Sequence, residues 1–124
     1  MTALLSVALI VMEPSFLSQL TKGNSMSQPT PGCDKVQPKF AFGQIVSTPN
    51  ALNKIPNDEI LHALSRHLQG DWGTLDPEDW ESNERALKHG GRLFSAYYSI
   101  QKIKFWIITE ADRLATTILL PEDY

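Results

Sequence analysis

The spacing of hydrophobic residues changes along the chain, and each spacing predicts a different element. Over residues 39–47, apolar side chains recur at alternate positions. Phe40, Phe42 and Val46 then share one side of an extended chain, which predicts a strand. Pro49 follows closely and ends this pattern.

Two helices are predicted in the middle of the chain. In the first, over residues 58–69, apolar residues recur every three to four positions, with Asn57 expected as the N-cap and Gly70 as the C-cap. The second is expected to begin after Asp76, because an acid followed by proline is typical of a helix start, and to end at Gly90. Few of its residues are apolar, so we expect it to lie on the surface.

The last third of the chain alternates with a period of two. Residues 92–99, 103–109 and 115–120 are rich in aromatic and β-branched side chains and are separated by short polar connections. This pattern predicts an antiparallel meander. The whole chain is therefore expected to be an α+β protein of order β-α-α-β-β-β, with two helices packed on one face of a small antiparallel sheet.

Residues 1–38 lack such patterning. The apolar run over residues 3–12 is shorter than the roughly 20 residues that cross a bilayer, and no Lys or Arg precedes it as in a signal peptide. The alternatives are a weak export signal, a short amphipathic anchor and a leader added by an upstream start codon. We favour the last, with Met26 as the start. Residues 1–38 are thus expected to be a disordered or wrongly assigned leader, and residues 39–124 a single compact domain.

Composition excludes several classes of protein. A chain of 124 residues is too short for a two-domain enzyme, and a formal net charge of -3 argues against a protein that coats nucleic acid. Cys33 is the only cysteine, which rules out an intramolecular disulfide and a zinc site built on cysteines. A cytoplasmic protein is the expectation that follows.

The histidines of the first predicted helix predict no metal site. His62 and His67 are five positions apart and face different directions on a helix. His67 falls within the apolar stripe, where a histidine is usually a boundary residue with one hydrogen-bonded nitrogen. No phosphate-binding or cofactor-binding motif is present, so we expect no cofactor.

Three neighbouring residues, Asp71, Trp72 and Trp80, are the candidate binding residues. Trp72 lies in the loop between the predicted helices and is expected to be exposed, and tryptophan is enriched at interface hot spots. Asp71 is the first of six acids with no base between them, and Trp80 lies within this run. The acids either imitate the phosphates of DNA or simply cap and solubilise the second helix; they are Asp71, Asp76, Glu78, Asp79, Glu81 and Glu84.

An enzymatic alternative uses Arg92, Glu110, Arg113 and Thr116. In a small metal-independent ribonuclease, Glu110 would act as the base on a 2'-hydroxyl, and the arginines would stabilise the charged transition state. The same residues also fit a tight turn closed by an ion pair of Arg113 with Asp112 or Glu110. Both interpretations remain open at this point.

Several stretches of the chain resemble a known family: HLQGDWG, ALKHGGRLFSAY and FWIITEADRLATTILLPEDY. They are similar to short bacterial proteins that plasmids and integrative elements carry and that are often labelled type I restriction endonuclease subunit M. The resemblance covers about residues 40–124. The chain is too short to hold the cofactor fold and amino-methylating motif of a methyltransferase subunit.

The resemblance implies a small non-catalytic accessory or binding protein of a mobile element, linked to defence or counter-defence. The expected partner is another protein, with no membrane partner and with nucleic acid only as a substrate. The order of elements is also similar to small toxin ribonucleases of the barnase and RelE kind, which is the fold-level argument for the enzymatic alternative.

Overall fold

The computed structural model describes residues 10–11 and 38–124. It confirms the α+β class, and the order of elements is close to the predicted one. The elements are β1 (Ile10–Val11), β2 (Gln44–Ser47), α1 (Pro49–Lys54), α2 (Asn57–Leu68), α3 (Pro77–His89), β3 (Leu93–Tyr98), β4 (Lys104–Thr109), β5 (Ala115–Leu119) and a closing 3-10 helix (Pro121–Asp123). The short α1 was not predicted. Its first turn is capped by Thr48, whose hydroxyl accepts from the Ala51 N–H.

The sheet has the strand order β1-β2-β5-β4-β3. The strands β3, β4 and β5 form the predicted antiparallel meander. β2 runs parallel to β5, so the sheet is mixed and not wholly antiparallel as expected. The sequence could not predict this direction, because side chains alternate between the two faces of the sheet in the same way whether a strand is parallel or antiparallel to its neighbour.

The main core lies between the sheet and the helices α1 and α2. We call the side of the sheet that meets these helices the helical face, and the opposite side the outer face. The core residues on the helical face and its helices are Ile45, Ala51, Ile55, Ile60, Ala63, Leu64, Leu68, Tyr97, Phe105, Ile107, Ile118 and Leu120. A smaller cluster on the outer face contains Ile108 and Leu119, with Phe94 and Trp106 packed against them.

The ends of α2 show one wrong and one confirmed prediction. The helix begins at Asn57, so Pro56 and not Asn57 occupies the capping position, and no side chain caps it. At the other end, Gly70 has a φ of +86°. The N–H groups of Gly70 and Asp71 bond to the carbonyls of His67 and Arg66, the pattern of a Schellman cap.

The start and end of α3 are as predicted. The Asp76 carboxylate accepts from the Asp79 N–H at 2.9 Å, and the helix ends at His89, directly before Gly90.

The first predicted strand is shorter than expected, because Gly43 has a φ of +64° and breaks the extended chain. A Cβ at Gly43 would lie 2.2 Å from the Leu114 carbonyl carbon.

Part of the predicted leader contributes to the sheet. Ile10 pairs with Ser47 and Val11 with Val46, in an antiparallel arrangement. The rest of residues 1–37, including Met26 and Cys33, lies outside the described residues. None of the helices in the described ranges combines the length and the hydrophobicity that a membrane crossing requires.

Candidate functional site

Arg92 and Glu110 meet on the outer face of the sheet. Leu93 pairs with Thr109, so the residues just beyond this pair are brought together. Arg92 Nε lies 3.5 Å from Glu110 Oε1, and the two side chains are 35% and 34% exposed. Arg92 also donates to the Tyr124 hydroxyl at 2.9 Å. Burial opposes the charge of Arg92, but Tyr124 and Glu110 raise the pKa of Arg92 overall.

The guanidinium of Arg113 is bound to main-chain carbonyls. Nη1 donates to the Gly91 and Glu110 carbonyls at 2.5 and 3.1 Å, and Nη2 donates to the Ala86 carbonyl at 3.2 Å. These bonds connect the turn after β4 to the last turn of α3, and they take the place of the ion pair expected with Asp112 or Glu110. Arg113 therefore holds the fold together at this corner.

Thr116 lies on the opposite side of the sheet from Arg92 and Glu110. Its hydroxyl is 2.8 Å from the Thr109 hydroxyl and donates to the Phe42 carbonyl at 2.8 Å. Thr116 pairs with Thr109, and Glu110 follows Thr109, so successive side chains point to opposite faces. The four ribonuclease candidates therefore do not form one site. Arg92 and Glu110 lie on the outer face, Thr116 lies on the helical face, and Arg113 is bound to main-chain carbonyls.

His67 lies at the centre of a buried polar chain that the sequence did not predict. Nδ1 is 2.5 Å from the Ser95 hydroxyl, and Nε2 is 2.9 Å from the Thr109 hydroxyl. Because Thr116 donates to the Phe42 carbonyl, Thr109 must donate to Thr116 and His67 Nε2–H must donate to Thr109. Ser95 then donates to Nδ1. Each hydroxyl and the ring N–H therefore donates one hydrogen bond, and all of them point from Ser95 towards the Phe42 carbonyl.

The imidazole of His67 is neutral. It is fully buried, with Phe40 and Trp72 edge-on to it at ring-centroid distances of 5.4 and 5.5 Å. Burial, together with the nearby charge of Arg113, lowers the pKa of His67 from 6.5 to about 3. The expectation of a boundary residue with one satisfied nitrogen was therefore wrong, because both nitrogens are bonded inside the protein.

A sequence signal for this polar chain exists in the strands. Ser95, Thr109 and Thr116 occupy positions in phase with the apolar residues that face the helices. Polar residues at such positions in three neighbouring strands indicate a common buried partner, since buried hydroxyls are almost always hydrogen-bonded. His67 in the apolar stripe of α2 is that partner.

Trp72 is a core residue, which corrects the expectation of an exposed anchor. It is fully buried, and its indole N–H donates to the Glu84 carboxylate at 2.8 Å. The loop that carries Trp72 is fastened to the edge of β3, because the Trp72 carbonyl accepts from the Ala96 N–H at 3.2 Å. This pairing turns the ring inward, so Trp72 offers no surface to a partner.

Asp71 and Trp80 are partly buried. Asp71 accepts two bonds from Arg66, at 2.8 and 3.2 Å, and one from the Gly73 N–H at 3.2 Å. The bonds from Arg66 are the main reason why the pKa of Asp71 is lowered. Asp71 therefore stabilises the loop after α2, and Trp80 is half-buried.

The exposed apolar residues lie elsewhere than predicted. Tyr98 and Ile100, at the hairpin between β3 and β4, are 54% and 83% exposed. Leu114 and Tyr124 are also exposed.

Across residues 10–11 and 38–124, no three His, Cys, Asp or Glu side chains lie close enough together to hold a metal ion.

Comparison of the chain with protein-family models, with curated proteins and with solved structures finds no match in any of the three. The geometry of the described residues therefore supplies the basis for a functional proposal. Two surfaces emerge from it: the Arg92–Glu110 pair on the outer face, and the apolar hairpin around Ile100.

Proposed function

We propose that this chain is a small accessory protein that acts by binding another protein, in the setting of a bacterial mobile element and its defence or counter-defence. The observation that carries the proposal is the separation of the reactive side chains. Thr116 and Arg113 are engaged inside the fold, while Arg92 and Glu110 lie on the other face of the sheet. The proposed place of action is the cytoplasm.

The hairpin between β3 and β4 supports a binding role. Ile100 at its tip is almost fully exposed, and Tyr98 beside it is half exposed. The turn is held in shape, because the Ile100 N–H bonds to Glu59 and the Ser99 hydroxyl accepts from the Gln101 and Ile103 N–H groups. A rigid exposed apolar tip loses little conformational entropy when a partner covers it.

Site-specific photocrosslinking in the source bacterium tests the proposal. We expect a photoreactive phenylalanine at Ile100 to capture one discrete protein under ultraviolet light, because Ile100 is the most exposed large apolar side chain of the described residues. The same amino acid at Ser82, an exposed position on α3, is the matched control. No capture at Ile100, or equal capture at Ser82, would count against a binding role for the hairpin.

The second candidate is the ribonuclease, which the 3.5 Å approach of Arg92 and Glu110 favours. Cellular RNA after induction of the chain decides between the two. The matched variants are Arg92→Ala and Glu110→Gln, which alter the outer-face pair and leave Arg113 in place. RNA cleavage that disappears in both variants would replace the accessory role with an enzyme, whereas intact RNA in all cells supports the accessory role.

A further inference from the structure

The turn between β3 and β4 uses all of its main-chain donors within the protein. The Ser99 N–H bonds to the Ile103 carbonyl at 2.9 Å, and the Lys102 N–H bonds to the Ser99 carbonyl at 2.8 Å. The other three N–H groups of residues 99–103 bond to the Glu59 carboxylate and to the Ser99 hydroxyl. A partner that meets this turn therefore recognises its side chains and not its N–H groups.

The two isoleucines of the turn have opposite surroundings. Ile103 is half-buried and packs against the main core, so it anchors the turn on the body of the protein. Ile100 is 83% exposed, at a turn position where Gly, Pro and small polar residues are usual. The fold therefore gains almost no apolar burial from Ile100, although the turn that carries it is rigid.

Lys102 occupies a backbone conformation that favours glycine. Its φ is +67°, and its N–H closes the turn on Ser99. The left-handed residue that follows such a turn in a hairpin is usually glycine, because a Cβ is disfavoured there. The Lys102 side chain is exposed and recovers none of this cost by packing in the core. The stability of the turn thus does not account for a lysine at this position.

Positive charge accompanies the exposed apolar side chains. We call residues 98–104 the hairpin tip. Lys102 and Lys104 are its only charged residues, and both are exposed, in a chain whose net charge is -3. Lys104 pairs with Tyr98 across the hairpin, and its Nζ lies 5.8 Å from the centroid of the Tyr98 ring. The complementary surface is therefore apolar, with negative charges around it.

We propose that the hairpin tip docks into an apolar pocket of the partner protein, and that the rim of this pocket carries carboxylates. Ile100 fills the pocket, while Lys102 and Lys104 pair with the rim. This inference rests on the proposed accessory function and adds the chemistry of the surface that the partner offers. An apolar anchor surrounded by polar contacts is the usual anatomy of a protein interface.

The surroundings of the tip favour a protein pocket over a lipid surface. The first turn of α2 carries Asp58 and Glu59, and the Glu59 carboxylate accepts from the Ile100 N–H at 3.0 Å. A flat anionic bilayer that meets the tip would also meet these carboxylates, and like charges repel. A pocket of limited size takes in the tip and leaves the carboxylates of α2 outside.

Carbodiimide coupling of the full chain in an extract of the source bacterium tests the lysine pairs. This reagent joins an amine to a carboxylate that touches it, without a spacer, and mass spectrometry identifies the joined peptides. We expect Lys102 or Lys104 to be joined to an Asp or Glu of the same protein that a photoreactive phenylalanine at Ile100 captures. Lys88, an exposed lysine of α3, is the control and should not be joined to that protein.

Charge variants measure how far the capture at Ile100 depends on the lysines. Lys102→Glu with Lys104→Glu should lower the captured yield about tenfold, because like charges would then face each other across the contact. Lys102→Arg with Lys104→Arg keeps the charge and should capture as the original chain does. Lys88→Glu, which changes the net charge away from the tip, should also capture normally. Equal thermal midpoints show that these variants are folded.

Lys102→Gly separates binding from folding. Glycine adopts a positive φ without strain, so the thermal midpoint should stay the same or rise while the capture at Ile100 falls. A lysine that served only the turn would give the opposite result, a lower midpoint with unchanged capture.

The outcomes separate this inference from the accessory function itself. Capture at Ile100 that depends on neither lysine keeps the accessory protein and overturns the carboxylate rim. No capture at Ile100 removes both. Sedimentation of the full chain with vesicles of phosphatidylcholine and phosphatidylserine, lost in the double Glu variant, would overturn the protein pocket in favour of a lipid surface. Capture supports the inference only together with the lysine-to-carboxylate link to the same protein.

Discussion

His67 Nε2 lies 2.9 Å from the Thr109 hydroxyl and donates its hydrogen to it. The direction of this hydrogen bond follows from the last bond of the buried polar series, in which the Thr116 hydroxyl donates to a main-chain carbonyl. This contact connects α2 to the middle of the sheet through a fully buried, fully bonded polar chain. Such a chain disfavours other alignments of α2 on the sheet, because they would leave buried polar groups unbonded.

The first prediction concerns pH. The pKa of His67 is about 3 in the folded protein and 6.5 in the unfolded chain. Between pH 3 and pH 6.5, the unfolded chain therefore carries a proton on His67 that the folded protein does not. The contribution of neutral His67 to the free energy of unfolding is therefore fully present above pH 6.5. It falls as the pH drops towards 3, by at most about 1.4 kcal/mol per pH unit. Urea unfolding between pH 7 and pH 4.5 measures this slope.

A matched pair of variants isolates the contribution of His67. His67→Gln removes the titration, so we expect lower stability at pH 7 but a flatter pH profile. His62→Gln changes an exposed residue of the same helix and should leave the slope intact. A slope that persists in His67→Gln would contradict the assignment.

The second prediction separates the two tryptophans that were candidate anchors. Trp72→Ala should lower the free energy of unfolding by about 3–5 kcal/mol, since it empties a buried space beside His67 and leaves Glu84 without its donor. Trp80→Ala should cost clearly less, because Trp80 is only half-buried. Urea denaturation followed by circular dichroism compares them. Equal losses would mean that Trp72 is not a core residue.

The third prediction concerns the protected edge of β3. Asn83→Ala leaves both main-chain groups of Phe94 without their partner, which should cost about 1–3 kcal/mol. The Phe94 amide should also exchange faster with solvent. The neighbouring variant Ser82→Ala, at an exposed position, should change neither quantity. Aggregation of Asn83→Ala at high concentration would be a further sign of an opened edge.

The fourth prediction concerns the carboxy-terminal 3-10 helix. The Asp123 carboxylate accepts from the hydroxyl of Thr48 at 2.6 Å and from the amide of Asn50 at 2.8 Å. Burial alone would raise the pKa of Asp123, but these bonds lower it overall. Asp123→Asn should therefore destabilise the protein by about 1–3 kcal/mol, by loss of hydrogen bonds to a charged group.

Thermal unfolding at pH 7 measures this effect. Glu122→Gln is the control, because its ion pair with Lys54, at 3.5 Å, is exposed and contributes little. As the pH falls from the usual carboxylic pKa of 3.8 through the lower pKa of folded Asp123, the difference between Asp123→Asn and the original chain should shrink, because the unfolded chain binds a proton at Asp123 before the folded chain does. A difference that is the same at every pH would contradict a charged Asp123.

Local patterns in the sequence determined the elements of this protein. The period of two placed the meander, and Asp76, Gly70 and Gly90 marked helix ends correctly, because capping and alternation depend on neighbouring residues. Capping and alternation are short-range effects that a single chain segment expresses on its own. The sequence also grouped Arg92 and Glu110 with Arg113 and Thr116 as candidate residues, but the register of β3 on β4 brings only Arg92 and Glu110 together.

Tertiary structure decided the rest. The parallel direction of β2, the burial of Trp72 and the hydrogen bonds of His67 depend on residues far away in the sequence, such as Ala96 and Thr109. Whether a loop tryptophan faces solvent or core depends on which strand edge its backbone meets, and that edge exists only after the sheet has assembled. A hydrophobic pattern reports that a residue is buried, but packing selects the partner against which it is buried.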